Sequence, residues 1–209
     1  GTGNVTLTAA TAHSEEDLTV TGTNISALDI GSSTKQFNAV SLTGVTTLHG
    51  DIITNADAAS PANIGTVTIT GAALLDTDHI LIDTSAGNGN VTFSSTINGA
   101  DTTARNLTIE SGTGKVTVDG IIGGTDNRPL GVIDINSATA DGTGEIELFD
   151  IGDAGSIGSG AITVGHATTD KITFDGDLYK TGNASFTAKT GNTIEMNTAG
   201  ITFTLSNKT

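Results

Sequence analysis

Short units of the form apolar-polar-apolar recur along the whole chain, and glycine or another small polar residue usually follows two positions later. The units are Leu18-Thr19-Val20, Val40-Ser41-Leu42, Val67-Thr68-Ile69, Val91-Thr92-Phe93, Val116-Thr117-Val118, Ile146-Glu147-Leu148, Ile172-Thr173-Phe174 and Ile194-Glu195-Met196. Their last residues are 22 to 30 residues apart, about 25 on average. A fixed period of this length is typical of a solenoid.

Two further apolar segments follow each unit. The pattern predicts a second strand in Leu28-Asp29-Ile30, Ile80-Leu81-Ile82, Leu107-Thr108-Ile109, Ile133-Asp134-Ile135, Ile162-Thr163-Val164 and Phe186-Thr187-Ala188. A shorter piece between the strands is centred on Leu48, Leu74, Ile97, Ile122, Ile151 or Leu178. Three strands in each period indicate a coil with three faces. We therefore predict an all-β fold, a right-handed parallel β-helix of about eight rungs of ~25 residues.

The alternation predicts where each side chain points, because successive residues of a strand face opposite sides. We expect one interior column made of Val20, Leu42, Ile69, Phe93, Val118, Leu148, Phe174 and Met196. The residues between the apolar pairs should form an outward ladder, largely threonine: Thr19, Ser41, Thr68, Thr92, Thr117, Glu147, Thr173 and Glu195. Glycine after the unit allows a tight corner, where a positive φ can be required. An antiparallel β-sandwich is the alternative fold, but it does not explain why the same apolar-polar-apolar unit recurs every ~25 residues.

The repeat continues from one end of the sequence to the other. We expect residues 1–209 to be a single β-solenoid segment of a longer repeat protein, in processed form or as an internal piece, because the chain opens Gly1-Thr2-Gly3-Asn4 without methionine. Strand residues begin at Val5, and residues 201–205 still alternate. With no polar cap evident at either end, we expect stacking onto neighbouring repeats or a second copy.

The charge and composition exclude several partners. The net charge is −15 and the arginines are Arg105 and Arg128, which argues against nucleic acid, because phosphate binding needs clustered cations. No apolar stretch approaches the ~20 residues of a membrane span, so we predict no membrane insertion. Cysteine is absent, which excludes disulfides and thiolate metal sites.

One stretch shows the repeat most clearly. It runs from Asn106 to Gly120, with the sequence NLTIESGTGKVTVDG, and Ile121-Ile122-Gly123-Gly124 and residues 130–135 continue it. In these units the chain resembles the β-strand repeats of filamentous haemagglutinin-like adhesins, the large exoproteins often exported by two-partner secretion. The resemblance implies an extracellular rod used for adhesion, surface coating or filament building. The resemblance assigns no catalytic residues to this chain.

Metal chemistry has only weak candidates. The histidines, His13, His49, His79 and His166, are scattered and show no zinc-binding spacing. Carboxylates that could offer oxygen ligands to calcium are Asp76 and Asp78, Asp150 and Asp153, Asp175 and Asp177, and Glu15, Glu16 and Asp17. Residues 123–126, Gly-Gly-Thr-Asp, are a partial match to the glycine-rich calcium nonapeptide. Turns also require Asp and Gly, so we predict no metal site and no cofactor, with Ca²⁺ as the alternative.

The sequence also has features of a polysaccharide-acting enzyme, of an ice-binding protein and of a glycosylated protein. A β-helix enzyme that cleaves extracellular polysaccharide would use carboxylate pairs, but cations are sparse, and a lone Tyr179 without tryptophan offers little for sugar stacking. The regular threonine ladder makes ice binding another candidate function. However, Glu147 and Glu195 interrupt the ladder, and threonine is common in strands for other reasons. Glycosylation sequons begin at Asn4, Asn24, Asn90, Asn106, Asn183 and Asn207.

We therefore predict a non-enzymatic structural segment of a secreted bacterial surface adhesin or extracellular filament, located outside the cell. Its expected partners are itself or neighbouring repeats, and host-cell or surface glycans. The enzyme acting on polysaccharide is the alternative. A deep groove with clustered Asp and a nearby cation would favour the enzyme, whereas smooth faces with repeated contacts would favour the structural role. The sequence shows no cation-supported carboxylate cluster in one repeat register, so we predict no catalytic residues.

Overall fold

The computed structural model describes residues 3–12, 16–55, 65–138, 143–155 and 158–205. It is an all-β protein in which parallel strands stack as a β-solenoid of about seven turns, close to the predicted eight rungs. Within the described residues the only helical element is a short 3₁₀ turn at Thr125–Asn127. The predicted fold class is therefore confirmed, and the β-sandwich alternative is excluded because the strand pairs are parallel.

The first face of the coil contains the eight predicted units. Two long strands, β2 (Asp17–Ala27) and β3 (Ala39–Leu48), contribute their first halves to it and bend into the second face. The other strands of this face are β5 (Thr66–Thr70), β8 (Val91–Phe93), β11 (Val116–Val118), β13 (Ile146–Leu148), β15 (Ile172–Phe174) and β17 (Ile194–Met196). We number these strands as rungs 1 to 8 in chain order.

The second face begins with β1 and continues through the second halves of β2 and β3. Its own strands are β1 (Asn4–Leu7), β6 (Ala73–Leu75) and β9 (Ile97–Gly99), followed by single bridges at Ile122, Ile151 and Tyr179 and then by β18 (Thr202–Leu205). The third face contains β4 (Ile52–Ile53), β7 (His79–Asp83), β10 (Arg105–Glu110), β12 (Leu130–Ile135), β14 (Ser159–Val164) and β16 (Leu178–Phe186). Strand β16 pairs with β14 through its second half and with β18 through its first half.

The interior column of the first face has the predicted register. Each of its eight members is the direct partner of the next across the sheet. Seven of them are buried, but Met196 is 58% exposed, which contradicts its predicted interior position. The reason is that β17 has a described neighbour on one side only, so no rung covers Met196 on the other.

Three details of the other faces were predicted wrongly by one or two residues. On the second face Ala73 and Leu75 are buried and Leu74 points outward, and Tyr179 rather than Leu178 continues the inner column. On the third face Phe186 pairs with Val164, so the unit is Ala184-Ser185-Phe186. On the second face two adjacent apolar residues compete for the inner position, and the neighbouring rung decides which one occupies it. On the third face the unit is displaced by two residues, so Phe186 still points inward.

Glycines form the corner between the first two faces. Gly44 and Gly71 have φ of 138° and 112°, as the tight-corner prediction expected. A Cβ added at Gly44 would lie 2.0 Å from the carbonyl oxygen of Gly22, and one at Gly71 would lie 2.5 Å from that of Gly44. The corners of successive rungs therefore stack so closely that only glycine fits.

Candidate functional site: a lysine and carboxylate cluster on the first face

The predicted outward ladder is present in register on all eight rungs of the first face. Its members on rungs 1 to 5 are threonine or serine, and rungs 6 and 8 carry Glu147 and Glu195. A second outward column lies directly after the strands, and it contains Thr21, Thr43, Thr70, Ser94, Asp119, Phe149, Asp175 and Asn197. The charged residues of these columns, with two lysines, gather on rungs 5 to 8.

Two lysines stand directly before strands of this face and reach carboxylates on the following rungs. Lys115, before β11, contacts Glu147 of β13 through its Nζ atom. Lys171, before β15, lies 3.5 Å from a carboxylate oxygen of Glu195 on β17. All four side chains are partly exposed, so these ion pairs are formed at the surface and contribute little individually to stability.

Asp175 connects rung 7 to the last rung. It follows β15 directly, two positions after Thr173, which is the partner of Glu147 across the sheet. Its Oδ1 atom accepts a hydrogen bond of 2.6 Å from the side-chain amide of Asn197. The hydroxyl of Thr198 donates a 2.7 Å bond to the backbone carbonyl of Asp175. Side-chain contacts thus join rungs 5 and 6 through Lys115 and Glu147, and rungs 7 and 8 through Asp175.

The two carboxyl groups are shifted in opposite directions. The hydrogen bond from Asp175, together with the contact to Lys115, lowers the pKa of Glu147. The same hydrogen bond to Glu147, together with desolvation, raises the pKa of Asp175. The bond to Glu147 raises the pKa of Lys115, so the lysine stays charged.

This cluster was not predicted from the sequence. Its members occupy three different positions of the repeat: Lys115 stands before its unit, Glu147 in the middle of its unit and Asp175 directly after its unit. The signal was hard to find, because the three residues are 32 and 28 positions apart and Asp175 stands one position outside the repeated unit. Its diagonal position beside Glu147 follows from the pairing of Glu147 with Thr173.

The described histidines lie far apart in separate surroundings. His49 Nδ1 lies 3.1 Å from Asp76, His79 Nε2 lies 2.9 Å from the Thr108 hydroxyl, and His166 Nδ1 lies 3.2 Å from that of Thr168. His13 lies outside the described residues. No two of the three described histidines share a partner.

The carboxylates considered for calcium mostly have protein partners. Asp78 pairs with Arg105 at 3.0 Å, and Asp153 accepts a 2.7 Å bond from the amide of Gly155. Asp150 accepts 2.9 Å bonds from the amides of Asp177 and Leu178, so it holds the next rung. Glu15 lies outside the described residues. Among the residues that are described, no group of three or more His, Asp or Glu side chains is placed to hold a metal ion.

The partial calcium motif is a turn between the second and third faces. Gly123 and Gly124 have φ of 64° and 85°, and Asp126 adopts a left-handed conformation with φ of 56°. The amide of Asn127 donates a 3.1 Å bond to the carbonyl of Gly124, which closes the turn. These residues lead the chain from Ile122 to β12.

Several sequon asparagines support neighbouring rungs. The Oδ1 atoms of Asn90 and Asn106 each accept a 2.8 Å bond from a backbone amide of the next rung, at Lys115 and Val132. Asn24 donates a 2.9 Å bond to Asn4 through its side chain. Asn183 is exposed, and Asn207 lies outside the described residues.

Tyr179 is fully buried and therefore presents no ring to a ligand at the surface. Its hydroxyl donates a 3.0 Å bond to the carbonyl of Leu148 and accepts one of 3.0 Å from the amide of Gly176. Burial raises the pKa of this phenol. Tyr179 is thus a structural residue of the coil.

Comparisons of the chain with protein-family models, with curated proteins and with solved structures found no match. The resemblance to filamentous haemagglutinin-like repeats therefore remains a prediction from the repeat units. In the described part of the chain no helix has the length and apolar character needed to cross a membrane.

Proposed function

We propose that the chain is a non-enzymatic structural segment of a secreted bacterial surface adhesin or extracellular filament. The observation that carries this proposal is the continuity of the first face, where one register runs through eight successive rungs. Rungs 2 to 7 bury their apolar pairs against their neighbours, as expected for a rod-like solenoid. The resemblance to adhesin repeats supports an extracellular location.

The use of polar side chains at the corners also supports a structural role. Asp29 accepts a 3.0 Å bond from the amide of Asp51, and Asp51 in turn accepts a 2.8 Å bond from the amide of Leu81. Side-chain oxygens of this kind satisfy backbone N–H groups where the ladder is interrupted. Asp29, Asp51 and Asp150 therefore each hold one rung to the next.

The partners that we propose are further rungs of the same kind. In the last described rung Ile194, Met196 and Leu205 are exposed, and at the other edge Val5 and Leu18 are only partly buried. Leu18 and Ile194 occupy the same inner column at opposite edges of the first face, so an added rung from neighbouring repeats or from a second copy would continue the core. Host-cell or surface glycans are the proposed adhesion targets.

Location and adhesion can be tested together. Antibodies raised against this chain should label the surface of intact cells of the bacterium that encodes it, as seen by immunogold electron microscopy. Beads coated with the chain should bind host cells or a glycan array, and beads coated with unfolded chain are the control. Labelling confined to the cell interior would contradict the proposal.

A polysaccharide-acting enzyme is the second candidate, because Lys115, Glu147 and Asp175 meet on one face. If this cluster is catalytic, the chain should release reducing ends or unsaturated products from a panel of polysaccharides, and Glu147→Gln should abolish the release. The structural proposal expects no product with any member of the panel. An activity that Glu147→Gln removes would replace the structural proposal.

A further inference from the structure

The first four rungs of the first face carry two outward columns made only of hydroxyl side chains. One column lies in the middle of the strand units and the other lies two residues further along. We call these side chains the hydroxyl array, and its members are Thr19, Thr21, Ser41, Thr43, Thr68, Thr70, Thr92 and Ser94. Along the strands of this face, charged side chains border the array at Asp17 on rung 1 and at Lys115 and Asp119 beside rung 5. Glu147 and Glu195, which interrupt the ladder, lie on rungs 6 and 8 and thus outside the array.

The hydroxyl groups of the array are not used by the protein itself. Every member is exposed or half-exposed. Buried hydroxyls elsewhere in the coil are used internally, as at Thr84, which donates a 2.6 Å bond to the carbonyl of Gly89. No array hydroxyl makes such a bond within the part of the chain that the structure describes. Their donors and acceptors are therefore left for water or for a ligand.

The array is a regular two-dimensional net. Its middle column runs from Thr19 through Ser41 and Thr68 to Thr92, and each residue is the direct partner of the next. The rungs are therefore about 4.8 Å apart, and the two columns are roughly 6.6–6.8 Å apart, which is two residues along a strand. Six of the eight members are threonine, whose branched Cβ restricts the side chain to few rotamers. The net is thus held in place before any ligand arrives.

The size and the chemistry of the array select its ligand. The array covers on the order of 200–300 Å², so a contact between two such arrays would bury well under the ~1,000 Å² of a stable protein interface. A charged ligand finds no opposite charge in the array, and a sugar ring finds no aromatic side chain on which to stack. An ordered layer of water needs neither, because each water molecule both donates and accepts hydrogen bonds. On a prism face of ice the water oxygens form a rectangular net with spacings close to those of the array.

We propose that the hydroxyl array is an ice-binding surface. Its hydroxyls hold water molecules at the positions of the crystal lattice, and the chain adsorbed on the crystal blocks further growth there. The acidic residues of the other faces stay in liquid water. This function goes beyond the proposed structural role and does not depend on it.

The proposal can be tested by growing ice slowly from a solution of the whole chain and measuring how much protein enters the crystal. Thr68→Lys places a long charged side chain in the middle of the array and should lower incorporation several-fold. Thr163→Lys is the matched control, because Thr163 is also the middle residue of an apolar-polar-apolar unit but lies on the third face. It should enter ice as the wild type does. Circular dichroism would establish that both variants are folded, and Thr70→Lys, at an exposed position of the second column, tests the array independently.

Three results would overturn the proposal. The first is exclusion of the wild-type chain from ice to the same extent as serum albumin, a protein without such an array. The second is equal incorporation of the wild type, Thr68→Lys and Thr70→Lys. The third is sedimentation that shows paired chains in the wild type and single chains in Thr68→Lys while ice excludes both, which would assign the array to a second copy.

Discussion

Rungs 1 to 5 and rungs 6 to 8 of the first face have the same backbone register but different outward and inward side chains. The first group carries threonine and serine outside, over a core that is mostly aliphatic, with Leu42 and Ile69 as examples. The second group carries lysine and carboxylate side chains outside, and Lys115 of rung 5 contacts Glu147 of this group. Inside it, Phe174 packs edge-on against Tyr179 and Phe186 at 4.8 and 4.9 Å between ring centroids.

The difference shows which positions the coil constrains. The inner positions need apolar residues of any shape that fills the core, and the corners of rungs 2 and 3 need glycine. The outward positions tolerate hydroxyls or charges, because they contact only their neighbours on adjacent rungs. The outer face can therefore change in charge from rung to rung without changing the fold.

The strongest contrast concerns the core. Val118→Asp should reduce the free energy of unfolding by about 3–5 kcal/mol, because it places an unpaired charge in a fully buried position. Met196→Asp makes the same kind of change in the same column at an exposed position, and should cost less than about 1 kcal/mol. Urea unfolding followed by circular dichroism would measure both. Similar losses for the two variants would contradict the described burial of the column.

The glycine corners provide the second contrast. Gly44→Ala should lower the free energy of unfolding by about 2–4 kcal/mol, because the new methyl group meets the Gly22 carbonyl and the residue has a positive φ. Gly191 also has a positive φ, of 90°, but nothing lies within 4 Å of its added Cβ. Gly191→Ala should therefore cost only about 1 kcal/mol. If the two variants unfold at the same urea concentration, the close stacking of the corners is wrong.

The buried phenol belongs to the second group of rungs and should have an intermediate effect. Tyr179→Phe keeps the ring but leaves the Gly176 amide and the Leu148 carbonyl without their partner. The expected loss is about 1–3 kcal/mol in the free energy of unfolding, the cost of an unsatisfied buried polar group. Phe203→Tyr is a control, because Phe203 is partly exposed and its added hydroxyl reaches solvent at little cost.

The smallest effect is expected at the surface cluster. Lys115→Met removes the cation beside Glu147 and should change the free energy of unfolding by less than about 1 kcal/mol at neutral pH, because the pair is partly exposed. The variant should make unfolding less sensitive to added salt than in the wild type, since the screened attraction is absent. A loss of several kcal/mol would mean that Lys115 supports the coil in a way that its contacts do not explain.

The sequence predicts the first face well for a physical reason. In Val116-Thr117-Val118 both apolar residues are β-branched and the residue between them is polar, so the direction of each side chain is unambiguous. Leu74 and Leu75 are adjacent and equally apolar, and only pairing of Leu75 with Leu48 decides which is buried. The cluster of Lys115, Glu147 and Asp175 was missed because its contacts are diagonal between rungs, and the loop lengths that set the register cannot be read from a local pattern.

The central claim is that the first face is one continuous ladder of parallel rungs, and distances between spin labels test it most directly. The chain contains no cysteine, so labels can be placed at chosen positions alone. Pairs at Thr19 and Thr117, four rungs apart, and at Thr19 and Glu195, seven rungs apart, should give Cα separations near 19 and 34 Å, at ~4.8 Å for each rung. Label distances that increase by this amount from the first pair to the second would support the account. Equal distances for the two pairs, or a shorter distance for the second, would contradict it.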